Sequence, residues 1–455
     1  AHLSGGAAGG RTLMRKLEVR YSTLRDAFTL FGVLFYIQVI AFFLGQGAAL
    51  DDAQRDMEGN VVNQIGGLVT LLVPLFFFIR NKVFLSKSFY RNNFFLLLFL
   101  VCVAASISWS NDPMLSFKRF IAMVSVVFFA GFVAYNYSIE KIAFMIGSVI
   151  GAAALIGLIF AVIRPDIAFI SGGIRDGAFK GIFTEKNAGA RINAIAILLL
   201  LPMIRQRNLM AILYASFSLV AILLAQSATG VALIVTGAAS YWYFLTMIRL
   251  RVNRSLLAFF AATVIYLLVC AFMYGNYTLL LEMMGRDPSL TDRTLIWELL
   301  TPLIDSKFLN GYGFGAFWSS PDADVFIKRW GYIGNAHSGY METLLNGGAL
   351  QLAALILMFA EALIKQYRAV TADRSAQLRA SALVIIALFI VTNYVAYVVP
   401  NYRSAEFLVF CALALTFRHH HAKRPAMAAR SPAPAYAVRS QALSAGTRPK
   451  EKSPC

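Results

Sequence analysis

Apolar runs long enough to cross a lipid bilayer recur along almost the whole chain, and they decide what it can fold into. A hydrocarbon interior of about 30 Å takes roughly 20 apolar residues as a helix, because lipid offers no partner to unpaired backbone groups. Such runs lie near 27–47, 61–79, 94–109, 119–135, 142–163, 188–204, 209–226, 228–248, 255–274, 347–364, 380–399 and 404–417. The sequence therefore predicts an all-α polytopic membrane protein with about twelve transmembrane helices. The runs at 142–163, 255–274 and 380–399 are the clearest, while 94–109 and 404–417 are short and 188–204 needs its polar start. With 59% hydrophobic and only 14% charged residues, an ordinary soluble domain is excluded.

The runs divide the chain into a segment 1–26, nine spans over 27–274 with a loop at 164–191, a long polar loop 275–338, three spans over 339–417 and a tail 418–455. The first run is followed by acids and lacks a small-residue cleavage site, so it is expected to be retained as a span. Cys102, Cys270 and Cys411 fall within expected spans and Cys455 is the last residue, a pattern of neither a disulfide framework nor a zinc site. The tail is rich in Ala, Pro, Ser and basic residues and is expected to be disordered, its His419–His421 run solvated rather than metal-binding.

A net charge of +18 invites a nucleic-acid partner, but the basic residues are distributed as in a membrane protein. Counting alternate segments, 27 Lys and Arg fall on the side shared by both termini and 12 on the other. Arg80, Lys82, Lys87 and Arg91 crowd one short loop, while Asp51, Asp52, Asp56 and Glu58 crowd its neighbour. By the positive-inside rule both termini are expected in the cytoplasm, with 164–191 and 275–338 facing outward.

The outward loops hold the chemistry. Gly285 to Thr294 reads Gly-Arg-Asp-Pro-Ser-Leu-Thr-Asp-Arg-Thr, placing Arg286 and Arg293 among helix-capping residues. Thr291 or Asp292 is expected to cap a short helix through Leu300. Arg293 then sits in its first turn, where the helix dipole disfavours a cation and an anionic ligand would relieve it. The run Gly311-Tyr312-Gly313-Phe314-Gly315-Ala316-Phe317-Trp318 either stacks rings on sugar faces or forms a tight turn packed against helices. His337 stands where the chain re-enters the membrane and can accept a proton from a sugar hydroxyl near neutral pH. In the other loop, Lys186 is expected to anchor at the interface. Arg191 lies inside the apolar run, where a guanidinium needs an anion, either a carboxylate or a substrate phosphate.

At these residues the chain resembles the O-antigen ligase and exopolysaccharide polymerase superfamily of bacterial inner-membrane proteins. The likeness rests on Gly181-Ile182-Phe183-Thr184-Glu185-Lys186-Asn187, on Gly285 to Thr294 with Trp297, and on His337-Ser338-Gly339-Tyr340. It departs from the family pattern at Glu185, Asp292 and Ser338, where histidine, glycine and asparagine are common. The resemblance implies a multi-helix glycosyltransferase of the GT-C type, with a large periplasmic loop and no metal or other cofactor. The implied donor is an oligosaccharide on undecaprenyl pyrophosphate. By position, Arg286, Arg293 and His337 are the implied catalytic residues, and Arg191 and Lys186 join the two arginines on the diphosphate. Trp318, Tyr340 and Glu342 are candidates for glycan contact.

Arginine suits a departing diphosphate because its fork makes paired, charge-assisted bonds to phosphate oxygens. Polymerisation of repeat units is the favoured reaction. Ligation of the glycan to lipid A core is the alternative within the superfamily, and a transporter or flippase is the alternative outside it. Expected partners are membrane lipids, the lipid-linked oligosaccharide, and chain-length regulator and flippase proteins.

Overall fold

The computed structural model describes residues 5–44, 61–170, 177–183, 185–253, 291–331, 333–372 and 376–417. The expected span at 255–274, the acidic loop at 51–58, Arg286 and the tail all lie outside them. In chain order the longer helices are α1 (Gly5–Tyr36), α2 (Val61–Arg80), α3 (Phe94–Ala105), α4 (Pro113–Asn136), α5 (Ile139–Ile163) and α6 (Lys186–Arg205). They continue as α7 (Leu209–Leu224), α8 (Ala228–Asn253), α9 (Thr291–Ser306), α10 (Gly339–Ala372), α11 (Ala376–Val395) and α12 (Ala405–Ala414). Among the described residues no strand forms, apart from one isolated bridge between Phe169 and Phe179.

Seven of these helices, α2, α4, α5, α6, α8, α10 and α11, are long and apolar enough to cross a membrane. The chain is an all-α, multi-pass membrane protein. Polar caps set where several helices begin: Asp112 accepts from the Leu115 N–H, Asn208 from Ala211 and Ser404 from Phe407. Four expected spans come out differently, and of these α3, with 12 residues, and α7, with 16, are apolar helices below spanning length. The run at 27–47 is broken where α1 ends at Tyr36, because Gln38 takes a φ of 68° before a short helix at Val39–Leu44. At 404–417 the helix is ten residues long, about 15 Å, and buried from Glu406 to Ala414, so it is an interior helix shorter than a bilayer.

Helix α5 packs on α6 and α7, α10 on α3 and α11, and α4 on α2 and α12. Helix α6 is the most enclosed span and α2 the most open. Small residues along α6, including Gly189, Ala190, Ala194 and Ala196, let neighbouring backbones approach closely.

The connections alternate between two ends. At one, the Asn111 N–H donates to the Tyr312 carbonyl at 3.0 Å, Ser227 bonds Asn187 at 3.3 Å, and Gln38 reaches the Arg403 carbonyl at 3.3 Å. At the other, Asp26 accepts from the Tyr137 hydroxyl at 2.7 Å and from Lys141 at 3.0 Å, and Lys365 reaches Asn93 at 3.3 Å. The loops around Lys186 and His337 therefore share an end. There the segment from α9 to Ala336 builds its own apolar core from Ile296, Leu300, Tyr312, Phe317, Trp318 and Phe326, seated on Leu345 of α10.

Candidate functional site

His337 occupies a left-handed backbone conformation, with φ of 50°, that a residue bearing a Cβ adopts only under constraint. Its neighbours supply the constraint. The His337 N–H donates to the Asn335 side chain at 2.9 Å. The Ala336 N–H donates to Glu342 Oε2 at 2.8 Å, while its carbonyl accepts from the Trp297 indole at 2.9 Å. On the other side, the Gly339 N–H donates to the Ala396 carbonyl at 3.2 Å. A Cβ on Gly339 would lie 2.1 Å from the Asn393 side-chain oxygen, so only glycine fits against α11. Elements α9, α10 and α11 thus hold one short peptide between them.

Arg293 lies in the first turn of α9, as expected. Its dipole conflict is answered within the protein: Nη1 donates at 2.6 Å to the carbonyl of Val395, the last residue of α11, where the helix dipole is negative. Trp297 is one turn further along α9 and packs edge-on against Tyr394 at 5.5 Å between ring centroids. Residues four apart share a helix face, so Arg293 and the tether to Ala336 point the same way.

Arg191 finds a carboxylate. Its Nε lies 3.2 Å from Glu406 Oε1, with side-chain exposures of 13% and 5%, tying α6 to the start of α12. Lys186, the first residue of α6, is buried, which corrects the interface-anchor expectation: an anchoring lysine keeps its ammonium in water.

Trp318 is 1% exposed and donates to Glu342 Oε2 at 3.0 Å. The Gly-aromatic run is accordingly the tight-turn alternative, its rings packed inward rather than presented to sugar. Gly315 shows why glycine is needed: its φ is 72°, and a Cβ would meet the Arg119 side chain at 2.5 Å. Tyr340 is half-buried and donates to the Ile390 carbonyl at 2.7 Å. Glu342 is 2% exposed, with both oxygens engaged by protein donors, so a direct glycan contact does not fit its placement.

Arg119, the first residue of the expected span at 119–135, is not among the site residues expected from the sequence. It is buried at 8% exposure near the start of α4, donates to the Gly315 carbonyl and acts through space on Glu342. The signal was available, because Arg119 sits in an apolar run just as Arg191 does. The expectation that the loops expected to face outward hold no Asp-x-Asp pair is wrong: Asp322-Ala323-Asp324 in the 275–338 loop is one. Both carboxylates are exposed, and Asp322 accepts from Asn111 at 3.4 Å. Among the described residues no group of three or more His, Cys, Asp or Glu is placed to hold a metal ion.

At this end Arg191 pairs with Glu406, Arg293 bonds the Val395 carbonyl, Arg119 bonds the Gly315 carbonyl, and Lys186 is buried.

Residues 210–356 match the family model described as O-antigen ligase. Over that third of its length the chain is similar to the O-antigen ligase family. The match supports a role in polysaccharide assembly at a membrane. The matched segment runs from α7 into α10 and includes Arg286, Arg293, Trp318, His337, Tyr340 and Glu342; Arg119, Lys186 and Arg191 lie before it. No curated protein matches the chain.

Proposed function

We propose that the chain is a polysaccharide polymerase of the bacterial inner membrane. It transfers an undecaprenyl-pyrophosphate-linked glycan to an acceptor sugar hydroxyl on the periplasmic side, without a metal ion. Lys186, Arg191, Arg286 and Arg293 bind the diphosphate. His337 takes the proton from the acceptor hydroxyl as its oxygen attacks the anomeric carbon. The bond from that carbon to phosphate breaks, and the lipid diphosphate leaves with the electron pair, stabilised by the guanidinium groups.

The observation that supports this reading is the hydrogen bond from Trp297 to the Ala336 carbonyl, which ties the helix bearing Arg293 to the residue beside His337. A diphosphate gripped by Arg293 then lies near the base that activates the acceptor. The family match favours one further reading, an O-antigen ligase, which differs only in its acceptor.

The test is to incubate the purified chain with lipid-linked repeat units, with and without lipid A core and with and without divalent cations. Lengthened lipid-linked glycan without added cation supports the polymerase, and glycan appearing on lipid A core instead supports the ligase. Turnover that requires the cation removes the metal-independent claim.

A further inference from the structure

Glu342 stands six residues after Ala336 yet reaches back to it. Ser338 immediately precedes α10, its hydroxyl accepting from the Met341 N–H at 3.4 Å, and the first helical turn carries Glu342 over the peptide just before it. A carboxylate is favoured there by the helix dipole, and it closes on backbone in the manner of a capping box. Oε2 accepts from the Ala336 N–H at 2.8 Å and from the Trp318 indole at 3.0 Å, while Oε1 lies 3.3 Å from the same indole. The buried carboxylate is thus held by the Ala336 N–H and the Trp318 indole.

We infer that Glu342 is a positioning residue: by gripping the Ala336 N–H while Trp297 grips the Ala336 carbonyl, it keeps His337 in the left-handed conformation that aims its imidazole at the acceptor. The left-handed region is unfavourable for histidine, so the backbone relaxes once one of the two grips is lost. The buried Trp318 has the same purpose one step removed, since its indole fixes the carboxylate. The inference rests on the proposed role of His337, but the backbone restraint is measurable apart from it.

The experiment compares Glu342→Ala, Glu342→Gln, His337→Ala and the double variant in the full purified chain. It measures glycan elongation on lipid-linked repeat units and hydrogen exchange of the peptide spanning 335–339. Glu342→Ala is expected to lower kcat more than tenfold, leave the donor KM within twofold and speed exchange at Ala336 and His337. Glu342→Gln is expected to recover most of both, because an amide oxygen accepts the same two N–H groups. Added to His337→Ala, the Glu342→Ala change should cost little more, as residues acting through one group are not additive.

A raised KM at unchanged kcat would make Glu342 a substrate contact and overturn the inference. An additive further loss on His337→Ala would show that it acts through the fold at large, and unchanged exchange in Glu342→Ala would remove the restraint itself. If His337→Ala is fully active, the proposed function of His337 fails, and the exchange data alone then decide whether Glu342 holds the backbone.

Discussion

The indole nitrogen of Trp297 donates at 2.9 Å to the carbonyl of Ala336, fastening α9 to the peptide that ends in His337. Arg293 lies one turn away on the same face, its guanidinium on the end of α11. The two bonds together tie the arginine helix to the histidine peptide and to α11.

Trp297→Phe keeps a ring against Tyr394 but removes the donor. A lost hydrogen bond that strands a partly buried carbonyl costs about 1–3 kcal/mol. If that energy holds the catalytic geometry, elongation falls roughly tenfold or more, since 1.4 kcal/mol is a factor of ten in rate. The check is kcat for elongation, with the folded fraction measured alongside.

Arg191 and Glu406 make a buried pair whose loss separates stability from binding. Arg191→Ala leaves Glu406 without its counter-charge and should destabilise the protein by about 3–5 kcal/mol. Replacing the pair as Arg191→Met with Glu406→Leu should restore much of that stability. Activity should stay low in both variants, because the diphosphate loses a guanidinium. Thermal unfolding in detergent and donor KM read the two effects apart, and a double variant with full activity would remove Arg191 from the site.

The orientation expected from the charge pattern can be tested at the two ends of the bundle. In a cysteine-free background, Asp322→Cys should react with a membrane-impermeant maleimide in cells whose outer membrane has been permeabilised, and Lys87→Cys should not. Both side chains are exposed in the structure, so access is decided by the side of the membrane alone. The reverse pattern would place the site in the cytoplasm.

Gly339→Ala tests the contact between α10 and α11. The added methyl would sit 2.1 Å from Asn393, which itself accepts from the Val398 and Val399 N–H groups. Overpacking of this kind costs about 1–3 kcal/mol, and it displaces the peptide carrying His337. A lower unfolding midpoint together with slowed elongation is expected.

The helical membrane architecture was legible because apolar run length and charge bias are local properties of a sequence. The loops around Lys186 and His337 share an end, as the charge pattern implied, and Arg191 has the carboxylate that a buried guanidinium demands. Which carboxylate was not legible, since Glu406 lies 215 residues away and no local pattern encodes that pairing. Arg119 was marked by its apolar run, but its partner was not legible, since Gly315 reaches it only once the Gly-aromatic turn has folded. Lys186 was misjudged because charge near a span end suggests water, whereas tight packing around the start of α6 buries it. The ring alternation at 311–318 suits stacking on sugar as well as on other side chains, and burial alone separates the two.

The most direct test of the account is the rate of lipid-linked glycan elongation by purified His337→Ala beside that of the unchanged chain, at saturating donor. Loss of a positioned base lowers such a rate by roughly 10²–10⁴-fold, and the account predicts a fall in that range with donor still bound. Elongation at the unchanged rate would contradict it, as would movement of the donor across the membrane by the unchanged chain with no glycosidic bond formed.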